Sequence, residues 1–250
     1  TCIFHLAAQI GRELSMRDPF EDIDINCRGT MNLLKCCRRY NDNAKLVYTG
    51  TRAQVGEPVY LPVDEAHPTN PNDIYGINKL AAEKYVLSYN CIYGIPATSL
   101  RLSNVYGPRS QMRYGYYGIV NWFIALALTN RIMPVYGQGK QTRDYVYVED
   151  VVDALCLTMR NKRSNGQVFM VGSGQETKFM EMVKEVIRAV GKGSYRHVPF
   201  PPQLKKIDVR RFVVNYNKIK NYLGWFPRTK LGEGLDKTVR FYRDNLQYYV

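Results

Sequence analysis

Tyr75-Gly-Ile-Asn-Lys79 carries the clearest chemistry in the sequence. On a helix, residues at i and i+4 share a face, so this spacing sets a phenol and an ammonium beside one site. A free phenol titrates at about 10, and a neighbouring ammonium favours the phenolate, which makes tyrosine a usable acid or base near neutrality. The lysine can also hold a ribose hydroxyl. In a chain with 20 tyrosines the pattern also describes a surface tyrosine beside a solvated lysine. Position adds weight to the catalytic reading. Thr51 closes the short strand and turn Val47-Tyr-Thr-Gly-Thr51, 24 residues before Tyr75, and α/β sheets place ligands at the C-terminal ends of parallel strands. Thr51 is therefore a candidate second hydroxyl, or else a turn threonine bonding its own backbone.

The elements that must position these residues read as alternating strands and helices. Cys2-Ile-Phe-His-Leu6 is an apolar run ending in Ala7 and Ala8, as a buried parallel strand would. Asp18-Pro19 supplies an N-cap and a first-turn proline for a predicted helix in which Phe20, Ile23, Cys27, Met31, Leu34 and Cys37 recur at helical spacing up to Tyr40. Leu46 to Tyr48 is the next strand, Tyr75 to Tyr93 a helix closed by Gly94, and Thr98 to Leu102 a third strand. That order predicts an α/β fold with a doubly wound parallel sheet of Rossmann type. Beyond Arg109 the order is less regular. Helices are expected near Val120 to Thr129, Glu149 to Arg160, Asn217 to Leu223 and Leu231 to Tyr249. Strands are expected at Met133 to Tyr136, Asp144 to Val148 and Val168 to Val171, with Thr177 capping a helix that ends at Gly191. The expected division is a dinucleotide-binding part, 1–108, and a smaller α/β substrate part, 109–250, with about 140–160 returning to the first.

Composition narrows the class. The chain has 250 residues, enough for one large core or a core and a satellite. It contains no apolar run of about 18 residues and no signal-peptide layout, which points to a cytoplasmic protein away from membranes. The six cysteines form no C-x-x-C pair, and the three histidines, His5, His67 and His197, lie far apart, so no metal site is expected. The net charge of +13 is spread rather than clustered, which suits a solvated surface and an anionic small substrate better than nucleic acid.

A dinucleotide fold should open with a strand, a Gly-rich turn and a helix whose N-terminus holds a pyrophosphate. No such G-x-x-G-x-x-G follows any strand here. The expectation is a sheet lacking its first strands, with on the order of 70 further residues on the N-terminal side.

Several ordered segments resemble the extended short-chain dehydrogenase/reductases, in particular the nucleotide-sugar epimerase/dehydratase group. They are His5-Leu-Ala-Ala8, Asn26-Cys-Arg-Gly-Thr-Met-Asn-Leu-Leu34, Tyr48-Thr-Gly-Thr51 with Gly56, Pro71 to Lys79, and Arg101-Leu-Ser-Asn-Val-Tyr-Gly-Pro-Arg109. Gly137-x-Gly139 followed by Arg143-Asp-Tyr-Val-Tyr-Val-Glu-Asp150, and Leu223-Gly-Trp225 with Pro227, complete the series. The resemblance implies NAD as cofactor, a nucleotide-sugar substrate that the family pattern suggests is UDP-linked, and a homodimer in the full-length form. It implies that Tyr75 is the base, that Lys79 lowers its pKa and holds the nicotinamide ribose, and that Thr51 bonds the sugar oxygen being oxidised. Ala7, Ala8, Asn26, Thr49, Leu102 and Val105 would lie along the cofactor or its supporting shell. Asn104 would donate to the substrate phosphates, and Arg143 would pair with the diphosphate, which a guanidinium fork suits. Lys205, Asp208 and Phe212 map to an Arg, an Asp and an aromatic residue near the sugar, with lysine replacing the arginine; Asn104 reads also as a turn cap before Gly107-Pro108, Arg143 as a hairpin surface charge and Phe212 as simple core.

Departures from that pattern narrow the reaction. Sugar 4,6-dehydratases of the group carry Asp-Glu directly after the hydroxyl residue, and the related decarboxylases keep the Glu; here the positions are Arg52 and Ala53. What remains is oxidation and re-reduction of one carbinol, the chemistry of a C4 epimerase. Arg52 beside Thr51 could also meet a substrate carboxylate. Two other readings stay open: a nucleotide-sugar reductase or dehydrogenase that releases NAD(P), and a non-catalytic binding or scaffold protein.

Overall fold

The computed structural model describes residues 1–250. Strand β1 (Cys2–His5) leads to α1 (Arg12–Arg17) and α2 (Pro19–Asp22), which passes through a π-helical stretch, Ile23–Arg28, into α3 (Gly29–Tyr40). Then come β2 (Lys45–Thr51), α4 (Ile74–Tyr93), β3 (Ala97–Leu102), β4 (Asn104–Tyr106), α5 (Ile119–Leu128) and β5 (Ile132–Tyr136). The chain continues through β6 (Thr142–Arg143), β7 (Tyr145–Tyr147), α6 (Val148–Arg160), β8 (Val168–Val171), β9 (Thr177–Lys178) and α7 (Phe179–Val190). It ends with β10 (Ser194–Val198), α8 (Pro202–Ile207), α9 (Asn217–Leu223) and α10 (Leu231–Asn245).

The main sheet is parallel, in the order β1-β2-β3-β8. Alternation along β2 sends Leu46 and Tyr48 to one face, against Leu34 of α3 and Ala82 and Val86 of α4. Val47 goes to the other, against Val151 and Leu155 of α6 and Ile219 of α9. Both faces are covered, which is why Leu46, Val47 and Tyr48 are apolar in succession rather than alternating with polar residues. A separate core gathers α5, α7 and α10 around β5, with Phe123, Met133, Val183 and Tyr242 at its centre. No helix is long and apolar enough to cross a membrane.

The ends of the elements follow their chemistry. Asp18 caps as expected, its carboxylate accepting from the Glu21 amide at 3.0 Å. The single long helix expected from there to Tyr40 is instead interrupted by the π-helical stretch, which the apolar periodicity does not reveal. Thr177 does not cap α7; it sits in β9, and Glu181 reaches back to accept from the Lys178 amide at 3.1 Å. The strand expected from Asp144 to Val148 spans only Tyr145–Tyr147, because Asp144 turns inward to accept hydrogen bonds from Ser173, Gly174 and Val214. Helix α1 and strands β4 and β10 have no counterpart among the elements expected from the sequence.

Candidate active site

The C-terminal ends of β1, β2 and β3 open onto a cavity of about 370 Å³, and its lining includes Thr49, Thr51, Tyr75, Lys79, Leu102 and Asn104. Thr51 ends β2 and begins a 3-10 turn, Arg52–Gln54, accepting from the Ala53 amide at 3.2 Å while Gln54 accepts from the Thr51 amide at 2.6 Å. Helix α4 must come very close to this turn. It can because residue 76 is glycine: a Cβ there would stand 2.6 Å from the Ala53 carbonyl oxygen. Asp73 caps α4 by accepting from the Gly76 amide at 2.7 Å, and Ser15 of α1 accepts from the Tyr75 amide at 3.1 Å. Arg12 pairs with Asp73 and donates to the Asn72 side chain at 2.6 Å and to the Ile207 carbonyl. The start of the helix that bears Tyr75 is thus fixed from three directions.

The electrostatics differ from the simplest expectation for a Tyr-x-x-x-Lys pair. Burial raises the Tyr75 phenol and the Thr51 hydroxyl draws it down, the carboxylates of Asp73 and Asp22 raise it and the Arg52 charge lowers it, so that it comes to about 12. The expected lowering by Lys79 is not what acts on Tyr75 here. The Lys79 ammonium instead lies 4.3 Å from the centre of the Tyr48 ring. Burial brings it down to about 8, opposed by the carboxylates of Asp22 and Glu83. Asp22 is fully buried, with one oxygen on Asn78 at 2.7 Å and the other without a partner.

His5, buried and 2.9 Å from the Thr30 hydroxyl, is pulled down to about 4 by burial and then by Lys79. Its folded pKa lies below that of the unfolded chain, so between about 6.5 and 4 the unfolded state binds the extra proton. Stability should therefore fall as the pH drops through that window, by up to about 3 kcal/mol from this group. Urea unfolding midpoints measured from about pH 7 to pH 4 test this; a His5→Gln protein should show a shallower decline, and an equal decline in both would remove His5 as its source.

The residues expected from the sequence divide into three groups. Ala8, Thr49, Thr51, Tyr75, Lys79, Leu102, Asn104 and Val105 come together around the cavity. Asn26 lies behind it, donating to the Gln9 carbonyl at 3.0 Å and so holding the loop that contains Ala7 and Ala8. Four residues stand apart from the lining. Arg143, expected on a diphosphate, is buried and spends its donors on Asp208 at 2.6 Å, the Val209 carbonyl at 2.5 Å and the Thr142 carbonyl at 2.8 Å. Asp208 is correspondingly its ion-pair partner, beside a smaller cavity of about 200 Å³. Phe212, expected near the sugar, is 0% exposed and packs with Val55, Val63 and Met170, because its neighbours 209–214 close a core under the sheet. Lys205 is exposed on α8.

Sequence reasoning missed Arg12, Tyr116 and Tyr117, which also line the main cavity. Arg12 follows Gly11 in a stretch without periodicity, so nothing marked it. Three tyrosines at 114, 116 and 117 were a legible signal: Tyr114 stacks on the cavity-lining Tyr116 with centroids 5.2 Å apart.

The chain as a whole is similar to known proteins. Residues 1–238 match the family described as GDP-mannose 4,6 dehydratase. A putative UDP-glucose 4-epimerase of Methanocaldococcus jannaschii is 37% identical over 244 residues, covering 97% of this chain and 77% of that protein. The structure of the Thermotoga maritima UDP-glucose 4-epimerase with UDP-glucose superposes with a TM-score of 0.89 at 35% identity, over 98% of this chain and 78% of the other. That of the Thermus thermophilus UDP-glucose 4-epimerase in complex with NAD gives 0.88 at 33% identity, over 97% and 78%.

Proposed function

We infer the reaction from one premise: the chain belongs to the GDP-mannose 4,6-dehydratase family, the extended short-chain dehydrogenase/reductases that modify nucleotide-linked sugars. Within that family we assign it to a nucleotide-sugar C4 epimerase that acts on a UDP-sugar by transient oxidation with retained NAD. The observation that carries this reading is the cavity itself: it brings Thr51, Tyr75 and Lys79 together, and no Asp or Glu is in its lining. Elimination of water from a sugar needs an additional acid and base, and the two positions after Thr51 are Arg52 and Ala53. Oxidation and re-reduction of one carbinol needs only a proton acceptor, a hydroxyl donor and a hydride carrier.

The residues present fit the nicotinamide end of NAD. Lys79 faces the cavity with its ammonium committed to no carboxylate, and the buried Asn104 side-chain oxygen has no partner within the protein. The alanine at position 8 leaves room along the β1 edge of the cavity. When bound, NAD accepts and returns a hydride. Tyr75 then exchanges the proton of the sugar C4 hydroxyl, Thr51 orients that oxygen by hydrogen bonding, and Lys79 holds a ribose hydroxyl and contributes positive charge. The relatives described with UDP-glucose and with NAD support the same reading.

The test is incubation with a panel of UDP-hexoses and UDP-hexuronates in the presence of NAD. The expected result, followed by proton NMR, is inversion at C4 without net accumulation of reduced cofactor. Steady release of reduced cofactor would assign the chain to the dehydrogenases instead. An unchanged panel with retained ligand binding would leave a binding protein.

A further inference from the structure

Three arginines converge on the cavity region, and they are not equivalent. Arg12 is committed to Asp73, Asn72 and the Ile207 carbonyl. Arg143 is committed to Asp208 and two carbonyls. Arg52, half-buried in the lining and next to Thr51, has no ion pair and no side-chain hydrogen bond. Its only close partner is the face of Phe212, with the guanidinium carbon 5.5 Å from the ring centre. A guanidinium carries five donors in a fixed fork, and withdrawing it from water without an acceptor is costly. The site thus holds a cation with donors to spare: the carboxylate that acts on it from a distance, Asp208, is paired with Arg143 and makes no hydrogen bond to Arg52.

Resting on the epimerase reading above, we propose that Arg52 binds a carboxylate at C6 of the sugar, so that the substrate is a nucleoside-diphosphate hexuronate. Placement separates this anion from the diphosphate. Arg52 is near enough to Tyr75 for its charge to lower the phenol, so it stands at the end of the cavity where Thr51 and Tyr75 meet the reacting C4 oxygen. In a pyranose, C5 with its C6 substituent adjoins C4, whereas C1, which bears the diphosphate, is across the ring. The Phe212 ring accepts no hydrogen bond from the guanidinium above it, which leaves the fork free for a bidentate contact. Burial and the charges of Arg143 and Arg12 bring Arg52 down to about 9, which a bound carboxylate would relieve. The pairing also opposes loss of the carboxylate as carbon dioxide from a 4-keto sugar, since departure requires giving up the charge that the guanidinium holds.

Calorimetric titration of the 250-residue chain with UDP, UDP-glucose and UDP-glucuronate, each with and without NAD, tests this. UDP-glucuronate should bind about tenfold or more tighter than UDP-glucose, the scale of one charge-assisted bidentate contact. Arg52→Met should remove the preference, and Arg52→Lys, which keeps the charge but not the fork, should retain part of it. Equal affinities of the unaltered protein for the two sugars would overturn the proposal while leaving the epimerase reading intact. So would an Arg52→Met protein that loses UDP affinity as strongly as UDP-glucuronate affinity, because Arg52 would then serve the diphosphate. If UDP itself does not bind the unaltered protein, the nucleotide-sugar reading fails, and this proposal fails with it.

Discussion

Tyr75→Phe should lower kcat by about 10²- to 10⁴-fold while leaving nucleotide-sugar affinity nearly unchanged, because it removes a single oxygen that the reaction needs for proton transfer. The backbone around it has no reason to move. The Tyr75 amide remains bonded to Ser15, Asp73 still caps α4, and the close approach at Gly76 is to Ala53 and Pro71, not to the Tyr75 ring. At neutral pH the phenol, raised to about 12, holds its proton. In the proposed reaction Tyr75 therefore stands ready as the acid, and it acts as the base only when charges brought by ligands draw its pKa below that value, which already includes the effects of Thr51 and Arg52. Single-turnover and steady-state rates on the UDP-sugar that the unaltered protein inverts will decide the matter. A Tyr75→Phe protein retaining more than about a tenth of the original kcat would remove Tyr75 from the proton-transfer role.

The sequence carried the placement of this tyrosine well and its electrostatic environment poorly. Helical spacing put Tyr75 and Lys79 on one face, and the strand ending at Thr51 pointed to the sheet edge where ligands bind; both meet at the cavity. The charges were not legible, because they depend on which groups lie across the fold. Asp22 comes from the end of α2 and Glu83 from two turns further along α4 than Tyr75, yet both act on Lys79. Arg143 shows the same limit. A buried arginine and one that grips a phosphate have the same sequence context, and only the arrival of Asp208 and Val209 from a distant segment distinguishes them. Phe212 read equally as core or as a residue near the sugar, and what decides for core, its partners Val55, Val63 and Met170, comes from three separate stretches.

Glu83→Ala should be among the most destabilising changes in the chain. Glu83 is fully buried and accepts two hydrogen bonds from Arg101, at 2.6 and 3.1 Å, and a third from the Ser99 hydroxyl at 2.8 Å. Removing it leaves the buried Arg101 guanidinium without a counter-charge, which typically costs about 3 to 5 kcal/mol. A hydrophobic pair of similar volume avoids that cost, so Glu83→Leu combined with Arg101→Met should recover most of the loss. The contact also joins α4 to β3, and Glu83 continues the helix face that begins with Tyr75 and Lys79. Loosening it should therefore lower kcat as well as stability, because small displacements of reacting groups weaken catalysis steeply. Chemical denaturation of Glu83→Ala, and of Glu83→Leu and Arg101→Met singly and combined, separates the contributions. If Glu83→Ala unfolds within about 1 kcal/mol of the unaltered protein, the ion pair is not what fastens the catalytic helix to the sheet.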